Sequence, residues 1–235
     1  MKESIKEQRK VNIKPMKKSL IVIFLGKPGS GKGTQAELLG EKLGLDYVGS
    51  GDLLRERKTK DDFTGRKTKT VVDTGGLIPT PVIFKLWLDR FEQFKKRKNF
   101  KGFIMDGSPR KIFEAYLTDE ALGWYEWDKN VKVMLIDVSN KEVIWRLTKR
   151  RICKKCGEII PYVGEWRKVK KCPKCDGELI HRVDDTTAGV KSRLAWFKSD
   201  VQPVINYYKK QGRLIKINGE QSIENVFKEV LKKLR

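Results

Sequence analysis

Long apolar runs, acidic side chains and histidine are all scarce in this chain of 235 residues. No apolar stretch approaches the roughly twenty residues that a bilayer-spanning helix needs, because the run 20–25 stops at Gly26. A membrane-spanning protein is therefore not expected. The opening segment 1–18 has no apolar signal core and carries Glu3 and Glu7, so it reads as a mobile basic tail, with Met16 as an alternative start. A cytoplasmic location is expected on the same grounds. Only 30 Asp and Glu stand against 52 Lys and Arg, a net charge of +22, which calls for an anionic partner. Nucleotides meet that requirement, and nucleic acid also would. No internal repeat or low-complexity linker divides the chain, and 39% hydrophobic content suits one sizeable core with insertions rather than two full domains.

Between the apolar run 20–25 and a helix-like stretch from Thr34 lies Gly26-Lys27-Pro28-Gly29-Ser30-Gly31-Lys32-Gly33-Thr34. Glycines in such a loop let backbone N–H groups turn toward one centre, the next helix presents its positive end there, and Lys32 can reach the outer phosphates. The usual pattern places a hydroxyl directly after the lysine to bind Mg²⁺; here Gly33 intervenes before Thr34, so the magnesium must be held differently.

Strand candidates at 20–25, 46–48, 103–105, 131–138 and 214–217 alternate with helical segments at 31–43, 79–98, 112–127, 141–150 and 222–235. That alternation predicts an α/β fold with a mainly parallel sheet and helices on both faces. Two excursions interrupt it, a polar and basic stretch at 50–78 and an insertion between Arg150 and Asp184. The insertion holds Cys153, Cys156, Cys172 and Cys175, two Cys-x-x-Cys pairs separated by fifteen residues. Such spacing falls within the four-cysteine zinc pattern, each pair aiming two sulfurs at one ion. Two disulfides are the competing reading, which a reducing compartment disfavours. His181, the single histidine, lies outside the pattern and is expected at the surface.

Phosphoryl transfer asks for positioning and positive charge rather than a covalent nucleophile. Arg55, Arg110, Arg150, Arg182 and Arg193 are spread over separate segments, as that chemistry requires. Asp106-Gly107-Ser108-Pro109-Arg110 directly follows an apolar strand, at the carboxyl end where parallel sheets bind ligands. Asp106 could order the waters around Mg²⁺ there, and Arg110 could clamp a phosphate bidentately.

From about Leu20 to the C-terminus the chain resembles the adenylate kinases. The likeness rests on the phosphate loop, Ser50-Gly51-Asp52-Leu53-Leu54-Arg55, Asp73-Thr74-Gly75-Gly76-Leu77-Ile78, the segment 106–110, Arg146-Leu147-Thr148-Lys149-Arg150-Arg151, Arg182-Val183-Asp184-Asp185, Arg193 and Ile217-Asn218-Gly219. The resemblance implies a P-loop core at 19–49, 79–150 and 184–235, a monophosphate-binding flap at 50–78 and a zinc-ribbon lid at 151–183. It implies donor contacts from Gly29, Ser30, Gly31, Lys32, Gly33, Thr34, Arg146, Arg150, Ile159, Ile160 and the backbone near Gln221. Acceptor contacts would come from Ser50, Gly51, Arg55, Gly76, Leu77, Ile78, Gly107, Arg110 and Glu114, with Arg182 and Arg193 closing on the phosphates. Lys32, Asp106, Arg110, Arg150, Arg182 and Arg193 would then carry the transfer.

The implied reaction converts ATP and AMP with Mg²⁺ into two ADP, in a monomer with a structural zinc and no need of nucleic acid or membrane. The family usually has threonine where Ser50 stands, phenylalanine where Ser108 stands and glutamine where Glu114 stands. An ionised glutamate only accepts hydrogen bonds, which brings in a kinase for another monophosphate, GMP first, as the alternative. A zinc-ribbon nucleic-acid binder with a nucleotide switch is the rival from a different class.

Overall fold

The computed structural model describes residues 19–74, 76–182 and 185–234. The expected tail 1–18 lies outside them, as do Gly75, Val183, Asp184 and Arg235 from the motifs and the last helix. Five parallel strands form the central sheet: β1 (Leu20–Gly26), β2 (Asp46–Gly49), β3 (Gly102–Asp106), β4 (Val131–Asp137) and β8 (Leu214–Asn218), in the order β2-β3-β1-β4-β8. The helices around them are α1 (Lys32–Leu43), α2 (Ser50–Arg57), α3 (Phe63–Asp73), α4 (Thr80–Lys95), α5 (Ile112–Trp124), α6 (Asn140–Lys149), α7 (Thr187–Trp196), α8 (Gln202–Lys210) and α9 (Ile223–Leu234).

Side chains alternate across a strand, and β1 shows the consequence directly. Ile21, Ile23 and Leu25 join Phe103, Met105, Trp87 and Phe91 on one face. Leu20, Val22 and Phe24 join Ile104, Ile136, Leu39 and Val230 on the other. Every residue of β1 is buried, which explains why its sequence is an unbroken apolar run rather than an alternating one. Register aligns Phe24 with Asp106, Gly26 with Ile136, Gly49 with Asp106 and Asp137 with Asn218. The loops that follow β1, β2, β3, β4 and β8 therefore all emerge along one edge of the sheet.

Some boundaries move. The helix expected over 112–127 stops at Trp124, because Glu126 takes φ 61° and turns the chain toward β4. The polar stretch 50–78 contains two helices, α2 and α3, the latter capped by Asp62, whose carboxylate accepts the Gly65 N–H at 2.8 Å. The segment between Asp185 and β8, given no helix in the periodicity reading, is an almost continuous helix in which a π turn (Phe197–Val201) joins α7 to α8. The cysteine-bearing insertion is a small antiparallel sheet of β5 (Arg151–Cys153), β6 (Ile159–Ile160) and β7 (Leu179–Ile180), ordered β6-β5-β7. No helix among the described residues is long and apolar enough to cross a membrane.

Candidate active site

The glycine-rich loop runs from β1 into α1. Gly29 takes φ 75°, and a Cβ there would sit 2.7 Å from the Leu147 side chain, so both conformation and space require glycine. Gly31 stands at the N-cap of α1 and offers no capping side chain, which leaves the first-turn N–H groups to an anion. Lys27 Nζ donates to the Val138 carbonyl at 2.6 Å and ties the loop to the end of β4. Burial lowers the pKa of Lys32; Asp106 opposes the shift, while Arg110, Arg150 and Arg193 add to it. One lysine thus shares its field with a carboxylate and three arginines drawn from widely separated segments.

Asp106 closes β3. One of its oxygens accepts the Tyr47 hydroxyl at 3.1 Å, and burial, reinforced by Asp106, pushes the Tyr47 pKa up and keeps it a donor. The other oxygen is buried without a partner among the described residues. A Cβ on Gly33 would come within 3.2 Å of the Asp106 carboxylate, so the close approach of loop to carboxylate accounts for glycine after Lys32. An unspent carboxylate oxygen beside a phosphate loop fits a hydrated Mg²⁺, which prefers waters and one or two carboxylates over an all-protein cage.

Arg150 forks onto both oxygens of Asp185 at 2.8 Å, and Arg193 Nη2 donates to the same carboxylate at 2.5 Å. The Asp185 side chain is only 2% exposed, and this buried acid is a residue to which sequence reasoning assigned no role. Burial lowers the Arg150 pKa against the pull of Asp185, with Arg182 and Arg193 adding to the lowering, so Arg182 belongs to the same basic cluster. The Arg146 guanidinium donates three ways: to Glu142 at 2.7 Å, to the Ser30 carbonyl at 3.3 Å and to the Gly219 carbonyl at 2.9 Å. It joins the phosphate loop to the turn after β8. In that turn region the Gln221 side chain donates to Asn218 and Glu229. Of the two insertion isoleucines, Ile159 is exposed and Ile160 is buried inside the insertion.

Beyond the end of β3, a narrow cleft with a cavity volume of about 20 Å³ is lined by Ser50, Leu77, Ile78, Ser108, Arg110 and Glu114 among others. The hydroxyls of Ser50 and Ser108 hydrogen-bond to each other. Gly107 turns with φ 75° and its carbonyl accepts Arg110 Nε at 2.7 Å. Glu114 is 4% exposed; its Oε2 accepts the backbone N–H of Arg110 at 2.7 Å and of Lys111 at 3.4 Å, as an acid in the first turn of a helix prefers. Gly51, Arg55 and Gly76 lie outside this lining. Arg55 pairs with Asp52 at 2.5 Å on the surface, with Gly51 against its guanidinium, and Gly76 donates its N–H to Val71.

The four cysteine sulfurs lie within 4.8 Å of one another, with Cys153 and Cys175 at 3.4 Å and Cys156 and Cys172 at 3.6 Å. These are free thiols, far beyond the roughly 2.05 Å of a disulfide. The spacing is that of four sulfurs around one tetrahedral ion with Zn–S of about 2.3 Å. Burial pushes the Cys153 thiol up, but the Cys156 N–H, the Cys175 sulfur and the Lys155 N–H outweigh it and bring the pKa down to about 6. His181 is exposed.

Residues 24–213 match the family model described as adenylate kinase. The chain is similar to an adenylate kinase of Archaeoglobus fulgidus, 38% identical over 89% of this chain and 95% of the relative. It is similar to one of Methanocella arvoryzae, 41% identical over 91% of this chain and 97% of the relative. One of Chlamydia trachomatis serovar D is 38% identical over 92% and 90% respectively.

Proposed function

The chain belongs to the adenylate kinase family and is a nucleoside monophosphate kinase; from that premise we propose that it transfers the terminal phosphoryl group of ATP to AMP, reversibly, giving two ADP. The observation that carries this reading is the gathering of Asp106, Arg110, Arg150 and Arg193, from four separate segments, within electrostatic reach of Lys32 in the phosphate loop. A phosphate oxygen of the acceptor attacks the terminal phosphorus while the bond to the bridging oxygen breaks, and the electron pair leaves on the new ADP. Charge spreads over the transferred oxygens, and fixed cations lower that barrier more than they stabilise the ground state.

In this reading residues 29–34 hold the donor phosphates, with Arg146, Arg150, Ile159, Ile160 and the backbone near Gln221 around the donor nucleotide. Ser50, Gly51, Arg55, Gly76, Leu77, Ile78, Gly107, Arg110 and Glu114 serve the acceptor, and Arg182 and Arg193 close on both. Mg²⁺, which adenylate kinases use with ATP, neutralises phosphate charge when bound, and Asp106 is the group that would orient its waters. Cys153, Cys156, Cys172 and Cys175 would hold a structural zinc, since protein fills all four positions. The segments 50–78 and 151–183 act as a flap and a lid that exclude water from the transferred group.

Glu114 favours a second acceptor, GMP. It is a buried carboxylate on the lining of the acceptor cleft, and guanine presents N–H groups that a carboxylate accepts, whereas adenine also presents an acceptor. A coupled assay of ATP against AMP, GMP, CMP and UMP tests both readings: the highest kcat/KM with AMP supports the first, and with GMP the second. No ADP formation from any acceptor would overturn both.

A further inference from the structure

Charge on Arg110 is compensated differently from that on its neighbours. Arg150 and Arg193 commit fork nitrogens to Asp185. Arg110 instead gives Nε to the Gly107 carbonyl and lies with its Cζ 5.5 Å from the ring centre of Trp196. An aromatic face attracts a cation through its quadrupole and presents no oxygen to bind the fork of N–H groups at the guanidinium edge. A carboxylate in that place would compete with phosphate for the same fork.

Trp196 is the last residue of α7 and packs against the larger core cluster, so its ring is held from behind. Arg193 lies three residues earlier, on the same helix face. One face of α7 therefore delivers two things to the site: an arginine tied by a carboxylate, and an aromatic plane that holds a second arginine without tying it. Burial lowers the Arg110 pKa while Glu114 and Asp106 oppose that shift, which is the setting in which an aromatic face contributes most.

We propose that Trp196 is a positioning residue for acceptor binding: its indole face holds the Arg110 guanidinium in place and keeps both terminal nitrogens for the phosphate of a nucleoside monophosphate. The proposal rests on the reading of Arg110 as the acceptor-phosphate clamp. Its test is calorimetric titration with AMP, and steady-state kinetics, on the full chain and on Trp196→Leu, Trp196→Phe, Arg110→Ala and the Trp196→Leu/Arg110→Ala double variant.

Trp196→Leu should weaken AMP on the order of tenfold, within what one desolvated cation–π contact supplies, and raise the KM for AMP with that for ATP little changed. Trp196→Phe should fall between the two, and in the Arg110→Ala background Trp196→Leu should have no further effect. If Trp196→Leu does not fold, Trp196→Phe carries the same comparison, its smaller loss vanishing without Arg110. A Trp196 effect that persists undiminished without Arg110, or no effect while Arg110 is present, overturns the proposal. Normal AMP binding by Arg110→Ala overturns the reading of Arg110 itself, and the two failures are thereby distinguished.

Discussion

Asp185 balances two arginines while almost fully buried. Removing one side of such a group leaves charge uncompensated, so Asp185→Ala should lower unfolding free energy by about 3 kcal/mol, the scale of a broken buried ion pair. Urea denaturation measures this, and added ADP should restore part of the loss because its phosphates supply the missing charge. Lys32→Ala and Arg110→Ala should each cut turnover by about a thousandfold or more with the fold retained. Near-normal kcat in either folded variant would put the active site elsewhere. Glu114→Gln keeps an acceptor for the N–H groups that open α5 and adds a donor for the base. The ratio of kcat/KM for AMP over GMP should rise on the order of tenfold, one net hydrogen bond; an unchanged ratio would mean that this side chain does not read the base. The phosphate loop was legible because its glycine spacing is itself a statement about backbone conformation. Asp185, Tyr47 and Trp196 were not, since their partners lie far along the chain: Tyr47 meets Asp106 59 residues on, and Arg150 meets Asp185 35 residues on.

The cysteine-bearing insertion shows how local spacing can fix an element. Two Cys-x-x-Cys turns sufficed to bring four sulfurs together, and Gly177 leaves the room for it, because a Cβ there would sit 2.8 Å from the Cys153 sulfur. Chelation should unfold β5, β6 and β7 while the five-stranded sheet stays intact. Hydrogen exchange with metal analysis checks this: protection should vanish over 151–182 and persist in β1, β3 and β4. Loss of both together would show that the insertion is not an independent unit. Elsewhere the elements were harder to read. Helices α2 and α3 are short and polar, and Leu53 is the one large apolar side chain that the two of them bury, so they have little of the apolar stripe that marks a helix. The helix from Thr187 to Lys210 escaped for another reason, since the π turn at 197–201 shifts the phase midway and divides one pattern into two fragments.

At the scale of the whole molecule, the chain carries a net charge of +22, and the substrates proposed for it are polyanions. Long-range attraction is screened over about 8 Å at physiological ionic strength, so KM for both nucleotides should rise steeply between low and high salt while kcat changes little; a flat response would mean that only contact charges matter. The strand order has a separate consequence, for the time course of synthesis. Strand β1, buried on both faces, pairs with β3 and β4 and, among the described residues, with no strand nearer in the chain. The ribosome therefore releases the stickiest segment early and completes its neighbours only when Asp137 has emerged. Over that interval the nascent chain carries an unpaired, uncharged seven-residue strand, and chaperone engagement or premature clumping would be decided there, well before any nucleotide can bind.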